Sequence, residues 1–301
     1  MDLSGIPYIG EMFALGAPLC WAFAVILFRW AGQTVPPFTL NLFKNVVGLL
    51  LGVVTVLAMG DPLWRSAPLS DYWILIGSGI IGIGISDLLF FMALNRVGAG
   101  LWSIINTSYS PSIIFMAILF LGESLAPVQW FGVALILSAV LAVTWMRGPK
   151  GEVPKKTVVV GVLLGITAML TQAVSVIMVK PLLESTDLMW NFVWRLLGGL
   201  GFMLVILPFR PDRLKVVKSF GNVKDLTRML PGTFLGTYLS LMLWLGGMKY
   251  AKASVASVLN QTSSLFIFVL AVLLLKEPAT KRRIAGLIVG IAGVALVTFG
   301  G

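Results

Sequence analysis

Three charged side chains stand deep inside long apolar stretches of this chain, where they could bind ions or polar solutes. Lys44 lies about six residues from the start of one such stretch and Asp87 about eight residues from the end of the next, or ~9 Å and ~12 Å from the same membrane face at ~1.5 Å per residue. If the stretches span a membrane, a charge at mid-helix costs about 2.5–3.5 kcal/mol, so it needs a partner or a function. Two interpretations of Asp87 follow. It forms an ion pair with Lys44 that locks two helices together, or it binds a proton or a cation during a transport cycle.

Arg195 is the third of these charges, and the sequence provides no obvious acidic partner for it. In one interpretation the guanidinium pairs with helix-end carbonyls or extends to the outer membrane surface. In the other it contacts an anionic group of a substrate, because guanidinium binds carboxylate or phosphate through two parallel hydrogen bonds.

A short polar patch occurs twice within apolar stretches, as Asn106-Thr107-Ser108 and as Asn260-Gln261-Thr262. Amide and hydroxyl groups can bind a polar solute, and Pro111 frees a backbone carbonyl about one turn earlier, as in the broken helices of transporters. The alternatives are hydrogen bonds between helices and, for Trp and Tyr, an interfacial belt. The predicted substrate-binding residues are Trp21, Trp102, Asn106, Tyr109, Gln172, Arg195, Tyr238, Asn260 and Gln261.

The composition requires an integral membrane protein. Of the 301 residues, 58% are hydrophobic and 11% are charged, whereas soluble domains carry about 25% charged residues. One cysteine, Cys20, and no histidine exclude an internal disulfide, the usual metal sites and His-dependent catalysis. We therefore expect no enzyme, no metal and no cofactor. The net charge of +10 fits basic cytoplasmic loops and does not require nucleic acid.

The apolar stretches predict an all-α integral membrane protein with ten transmembrane helices. Each stretch is long enough to cross ~30 Å of hydrocarbon, and prolines fall at or near the boundaries. The predicted spans are 11–30, 38–59, 72–95, 101–121, 127–146, 157–180, 188–209, 229–249, 254–275 and 283–300.

The chain repeats itself at a fixed spacing. At an offset of 154, Asn106 falls on Asn260, and at an offset of 151, Lys44 falls on Arg195. We predict a first five-helix repeat over 1–146, a basic connector over 147–156 and a second five-helix repeat over 157–301. Because five is odd, the two repeats enter the membrane in opposite directions (5+5), a recurring plan of secondary transporters.

A loop that carries glutamate follows the fourth helix of each repeat. The segments are Leu121-Gly122-Glu123-Ser124-Leu125 with Gln129-Trp130-Phe131-Gly132, and Leu275-Lys276-Glu277-Pro278 with Gly286. Together with the duplicated five-helix plan, these motifs resemble the EamA branch of the drug/metabolite transporter superfamily. Lys44 and Arg195 are similar to the arginine that this family usually carries in the second helix of each repeat. The resemblance implies two EamA-like repeats and a small-molecule carrier, often an exporter, with a central cavity between them.

The predicted function is therefore a secondary transporter that moves a small polar metabolite or drug-like solute across the cell membrane by alternating access, as an exporter. A flippase-like protein that handles lipids is the alternative. The expected partners are a small-molecule substrate and the lipid bilayer, with proton or cation coupling left open, no nucleic acid, and a monomer or homodimer.

The distribution of basic residues predicts the orientation. Sixteen of the 22 Lys and Arg residues fall on the side of the odd-numbered loops and four on the other side. The positive-inside rule places the odd-numbered loops in the cytoplasm and both termini outside the inner or plasma membrane. Glu123 and Glu277 are predicted to be structural, each complementing the dipole of the helix that follows it.

Overall fold

The computed structural model describes residues 8–121, 126–144, 154–250 and 259–299, which form helices and connecting turns with no strand among them. The helices are α1 (Ile9–Ala31), α2 (Pro37–Ala58), α3 (Leu69–Gly79), α4 (Asp87–Asn106), α5 (Tyr109–Leu121), α6 (Pro127–Thr144), α7 (Lys155–Ser185), α8 (Leu188–Ile206), α9 (Arg213–Ser219), α10 (Val223–Thr233), α11 (Leu241–Tyr250), α12 (Ser263–Leu274) and α13 (Lys281–Phe299). Two π-helical segments, called here the first and second π segments, are Ile80–Ser86 between α3 and α4 and Phe234–Ser240 between α10 and α11. The predicted Glu123 motif and most of the connector over 147–156 lie outside the described residues.

Several of these helices have the length and composition of membrane spans. Within the described residues, the five that are long and apolar enough are Met12–Ala31, Pro37–Ala58, Leu69–Asn106, Lys155–Leu182 and Leu188–Phe209. Shorter apolar helices cover Tyr109–Phe120, Pro127–Ala142 and Leu259–Leu274. The all-helical class is confirmed, whereas the number of ten spans stays a prediction.

The outer face of α2 illustrates how these helices meet lipid. Leu50, Val54 and Leu57 are each more than half exposed and recur at helical spacing along one side. Such a stripe of large apolar side chains is unfavourable in water and favourable against hydrocarbon. The opposite side of α2 carries the buried polar residues of the candidate site.

The largest buried cluster draws on residues from both ends of the chain, from Ala22 to Leu287. Phe28 of α1 packs edge-on against Phe91 of α4, with ring centroids 5.0 Å apart. The two predicted repeats therefore share one core, so neither buries its apolar surface alone.

Helix α1 packs antiparallel to the second π segment and α11. Gly236 lies against Ala24, whereas Gly247, further along the chain, lies against Ala14 near the start of α1. Residue numbers therefore rise along one element while they fall along the other.

Helix α7 packs against α3, the first π segment and α4 in the same antiparallel manner. Gly82 lies against Ser175, and Val97, further along the chain, lies against Gly161. The first helix of each predicted repeat thus runs along the third helix of the other.

The two π segments begin and end at residues 154 positions apart and make matching contacts. The Ser86 hydroxyl donates to the Ala168 carbonyl at 2.7 Å, and the Ser240 hydroxyl donates to the Ala17 carbonyl at 2.9 Å. The accepting alanines are themselves 151 positions apart. Irregular turns of this kind leave helix carbonyls without their usual donors and are frequent at functional sites.

Gly98 breaks the helix assigned as α4. Its φ of 79° and ψ of 171° are open to glycine and strained for other residues, so a new helical run begins at Ala99. The backbone N–H groups of Ala99 and Gly100 each donate to the Glu277 carboxylate at 2.9 Å. Glu277 thus complements the dipole of a helix in the other predicted repeat, which differs from the expected contact with the helix that follows it. The loop after α12 packs against Gly98, a tertiary contact that sequence spacing does not reveal.

A second pair of irregularities falls in the polar patches. The turn at residues 107–108 separates α4 from α5, and a turn at Thr262 separates the helical residues 259–261 from α12. Local hydroxyls satisfy the carbonyls at both turns, since Thr107 donates to Ile104 and Thr262 to Leu259. Pro111 follows only the first turn, whereas a hydroxyl bond of this kind is present at both, so the hydroxyls are the feature that the two breaks share.

The long polar loop after α8 is folded, and it contains α9 and the start of α10. Arg210 donates two hydrogen bonds of 2.8 Å to Asp212, which lower the pKa of that carboxyl. The Arg210 guanidinium also lies 4.3 Å from the ring centroid of Phe38, which ties the loop to the start of α2.

Candidate functional site

Lys44 and Asp87 form a close ion pair between α2 and the first residue of α4, directly after the first π segment. The Lys44 Nζ lies 2.7 Å from Asp87 Oδ2, with side-chain exposures of 6% and 22%. The same ammonium donates to Asn45 Oδ1 at 3.0 Å, and the Asn45 amide donates to Asn41 Oδ1 at 3.3 Å. The lysine charge is therefore neutralised and held inside a network of hydrogen bonds.

Asn41 extends this network to the first π segment. Its amide nitrogen donates to the carbonyls of Ile83 and Gly84 at 3.1 and 3.0 Å. These bonds supply the donors that the irregular helix does not provide to its own carbonyls. Sequence reasoning missed Asn41 and Asn45, although Lys44 and Asn45 follow Asn41 by three and four residues, which places both beside it on one helical face.

Arg195 of α8 is buried against α3 and α7. Its Nη2 donates to the Ser175 hydroxyl at 3.0 Å, and that hydroxyl donates to the Ser78 carbonyl at 2.7 Å. Gly79 permits this contact, because a Cβ there would lie 2.0 Å from the Arg195 carbonyl oxygen. Ser175 was not predicted, and its position on the polar side of α7 near Gln172 was the available indication.

Other predicted residues surround this arginine. The Tyr109 hydroxyl and the Asp87 carboxylate both lie within electrostatic reach of the guanidinium. Gln172 approaches Gly82 beside Ser175, and its Oε1 is buried without a hydrogen-bond partner in the described part of the chain. The fold therefore gathers the Lys44–Asp87 pair, Arg195, Tyr109 and Gln172 in one region.

A hydrogen bond joins the first polar patch to α12, the helix that directly follows the second patch. The Asn106 amide donates to the Ser264 hydroxyl at 3.1 Å, and Ser264 is fully buried. Asn260 and Gln261 are half-buried, and no hydrogen bond of their side chains is found among the described residues.

The predicted aromatic residues have different surroundings. Trp21 and Trp102 both pack against Phe90, with ring centroids 5.6 and 4.8 Å from it. Trp102 is buried in the shared core. The Tyr238 hydroxyl pairs with the Thr55 hydroxyl of α2 at 2.6 Å, so this tyrosine joins two helices. Sequence reasoning gave no indication of that partner.

Each half of the chain matches the same known protein family. The EamA-like transporter family matches the chain twice, over residues 8–145 and 159–299. The chain belongs to the EamA-like transporter family. The resemblance noted in the motifs is thereby confirmed, and the chain is a transporter-type, multi-pass membrane protein.

Relatives of this EamA-like transporter agree with the assignment. An uncharacterized transporter of Archaeoglobus fulgidus is 23% identical over 288 residues, covering 95% of this chain and 96% of that protein. The threonine/homoserine exporter RhtA of Escherichia coli K12 is 25% identical over 147 residues, which is 48% of each chain. A solved crystal structure superposes with a TM-score of 0.66 at 17% identity over 95% of both chains, a similarity of fold.

Proposed function

We propose that this EamA-like protein is a secondary transporter that exports a small polar metabolite by alternating access between two inverted five-helix repeats. One observation carries the proposal: the two π segments make equivalent contacts at equivalent positions. The Ser86 hydroxyl donates to the Ala168 carbonyl and the Ser240 hydroxyl to the Ala17 carbonyl. The third helix of each repeat is thus hydrogen-bonded to the first helix of the other. Paired irregular helices at a repeat interface are typical of transporters whose halves rock around a central site.

The directions of the packed helices support inversion of the repeats. The third helix of the first repeat runs antiparallel to α7, which is the first helix of the second repeat. First and third helices of one repeat point the same way when consecutive helices alternate across the membrane. The first helices of the two repeats then point in opposite directions.

The polar patches support a substrate site between the repeats. Helix interruptions at residues 107–108 and at Thr262 place polar groups within apolar helices, and irregular backbone at membrane depth is tolerated where it lines a cavity or is buried in protein. The Asn106–Ser264 bond joins the first patch to the helix that follows the second patch. Small amino acids with a hydroxyl are the first substrates to test, because one relative is named as a threonine/homoserine exporter.

Flux measurements test the transport proposal. Proteoliposomes containing the purified chain are loaded with L-threonine or another small polar metabolite, and exchange of labelled solute is followed. We expect saturable exchange that Asn106→Ala slows and that Ser138→Ala, on the exposed side of α6, leaves unchanged. Absence of flux for every solute, with lipid scrambling instead, would favour the flippase alternative.

Single-cysteine labelling tests inversion and orientation together. In a Cys20→Ser background, Ser66→Cys probes the loop after α2, and Gly221→Cys probes the equivalent loop after α8, both at exposed positions. We expect an impermeant maleimide to label Cys at 66 from outside cells and at 221 only after permeabilisation. Labelling of both from the same side contradicts the inverted arrangement, and the opposite pattern reverses the orientation.

We infer a structural function for the Lys44–Asp87 pair, because its ammonium contacts both the carboxylate and Asn45. Transport by Asp87→Asn should keep the pH dependence of the wild type, provided that the variant folds. A pH dependence that disappears in this variant would instead assign Asp87 to proton coupling.

A further inference from the structure

Arg195 is a buried cation whose charge no side chain neutralises by contact. Its exposure is 7%, and no carboxylate lies within 4.0 Å of its nitrogens among the residues that the structure describes. The Nε is fully buried and lacks a hydrogen-bond partner there. An unsatisfied charged donor at membrane depth is costly, so a group that satisfies it binds favourably.

The neighbour that Arg195 does contact cannot supply the missing charge. Ser175 gives its hydroxyl hydrogen to the Ser78 carbonyl, so its oxygen is left to accept from Nη2. This chain of bonds fixes the guanidinium without neutralising it. The unpartnered Nε edge of the fork therefore stays available for an anionic oxygen.

Two uncharged polar groups flank the same region. The Gln172 Oε1 is buried without a partner in the described residues, and the Tyr109 hydroxyl lies within electrostatic reach of Arg195. Asp87, partly exposed and already paired with Lys44, contributes a negative charge within the same range. The Asp87 carboxylate would repel a ligand with two negative charges. It favours a ligand whose carboxylate is accompanied by a cationic or neutral polar group.

We infer that Arg195 receives the carboxylate of the transported solute, which makes the substrate class a small monocarboxylate, zwitterions included. Tyr109 and Gln172 contact the remaining polar groups of that solute. The inference rests on the proposed transport function and adds to it a specific recognition group.

Paired acids and amides test this assignment on the purified full-length wild type. Thermal unfolding is followed with L-threonine, L-homoserine, glycine and L-lactate, each beside its amide, and with inorganic phosphate. We expect at least one acid to raise the Tm while its amide and phosphate do not. The inference is overturned if no acid stabilises the protein more than its amide, and a larger effect of phosphate assigns the site to phosphate instead.

Variants locate the effect at Arg195. Arg195→Gln should weaken binding of the stabilising acid roughly 10- to 100-fold, since a bond to a charged group is lost, and Arg195→Lys should weaken it less. Arg213→Gln, an exposed arginine in the loop after α8, is the matched control and should bind normally. Equal binding by Arg195→Gln and wild type overturns the assignment. If Arg195→Gln does not fold, the acid and amide comparison on the wild type and Arg195→Lys decides it.

Flux data separate the two proposals. Exchange of a neutral solute, without any preference for carboxylates, would support the transport proposal and contradict carboxylate recognition by Arg195. Binding of an acid at Arg195 without flux of that acid would support the binding site and contradict the transport proposal.

Discussion

Lys44 and Arg195 occupy equivalent positions in the two repeats, yet their surroundings differ. Lys44 has Asp87 at 2.7 Å and Asn45 at 3.0 Å. The position equivalent to Asp87 holds Leu241, and within the described residues the Arg195 side chain bonds only to the Ser175 hydroxyl. In our proposal, one predicted repeat uses its buried cation to hold two helices together, whereas the other leaves its cation available to a ligand.

The apolar residues around Arg195 sharpen this contrast. Phe192 and Leu196 stand where the first repeat has Asn41 and Asn45, and both are buried in an apolar cluster. A symmetric duplication with paired charges on both sides would leave no unsatisfied group to attract a solute. The proposed binding site therefore depends on divergence of the two copies, because paired charges on both sides would leave no free cation.

Breaking the Lys44–Asp87 ion pair should have the largest effect on the free energy of unfolding. Asp87→Leu leaves Lys44 buried and unpaired, and we expect a loss of about 3–5 kcal/mol in the free energy of unfolding. The double variant Lys44→Met with Asp87→Leu should recover most of that loss. Arg195→Met should be nearly neutral without ligand. Thermal unfolding in detergent measures all three, and equal losses for Asp87→Leu and Arg195→Met would contradict the contrast.

Making the second repeat resemble the first should remove the ligand site. Leu241→Asp places a carboxylate at the position equivalent to Asp87, where it can pair with Arg195. We expect binding of the stabilising carboxylate to weaken roughly 10- to 100-fold, because the new acid competes for the guanidinium. Leu241→Asn is the uncharged control. Unchanged binding by Leu241→Asp would show that Arg195 is not the recognition group.

Glu277 tests whether the repeats are independent in stability. Glu277→Ala removes the acceptor for two backbone N–H groups, at Ala99 and Gly100, and we expect a loss of about 1–3 kcal/mol. Glu277→Gln keeps an amide acceptor and should lose less. Hydrogen exchange should locate the change at residues 99–103 of the first repeat. Faster exchange confined to the second repeat would refute this link.

The smallest expected effect concerns the two equivalent serine hydrogen bonds of the π segments. Ser86→Ala and Ser240→Ala each remove one hydrogen bond to the first helix of the other repeat. Bonds between membrane helices contribute about 0.6 kcal/mol on average, so we expect small losses of similar size from both variants. A loss from only one of them would show that the two contacts are not equivalent.

The sequence predicted well what depends on composition and periodicity. The helices α2 and α8 match the predicted spans 38–59 and 188–209 within three residues at each end. Hydropathy also led to the helical class, since long apolar runs with few charges have few other solutions. The depths of Lys44 and Asp87 along their helices indicated that the two could approach each other.

Tertiary partners were beyond reach of the sequence. The acceptors of Ser86 and Ser240 and the partner of Tyr238 are far along the chain, and only packing brings them close. The π segments also gave no sequence indication beyond glycines, because their extra residue depends on donors such as Asn41 from another helix.

The bond between Glu277 and Ala99 has a consequence for synthesis of the protein. The two residues are 178 positions apart, so the ribosome makes the helix that begins at Ala99 long before its cap exists. Chains are inserted and folded from the N-terminus onward. Until Glu277 is made, the backbone N–H groups of Ala99 and Gly100 therefore lack this acceptor, and a chain truncated before residue 277 would lack it permanently.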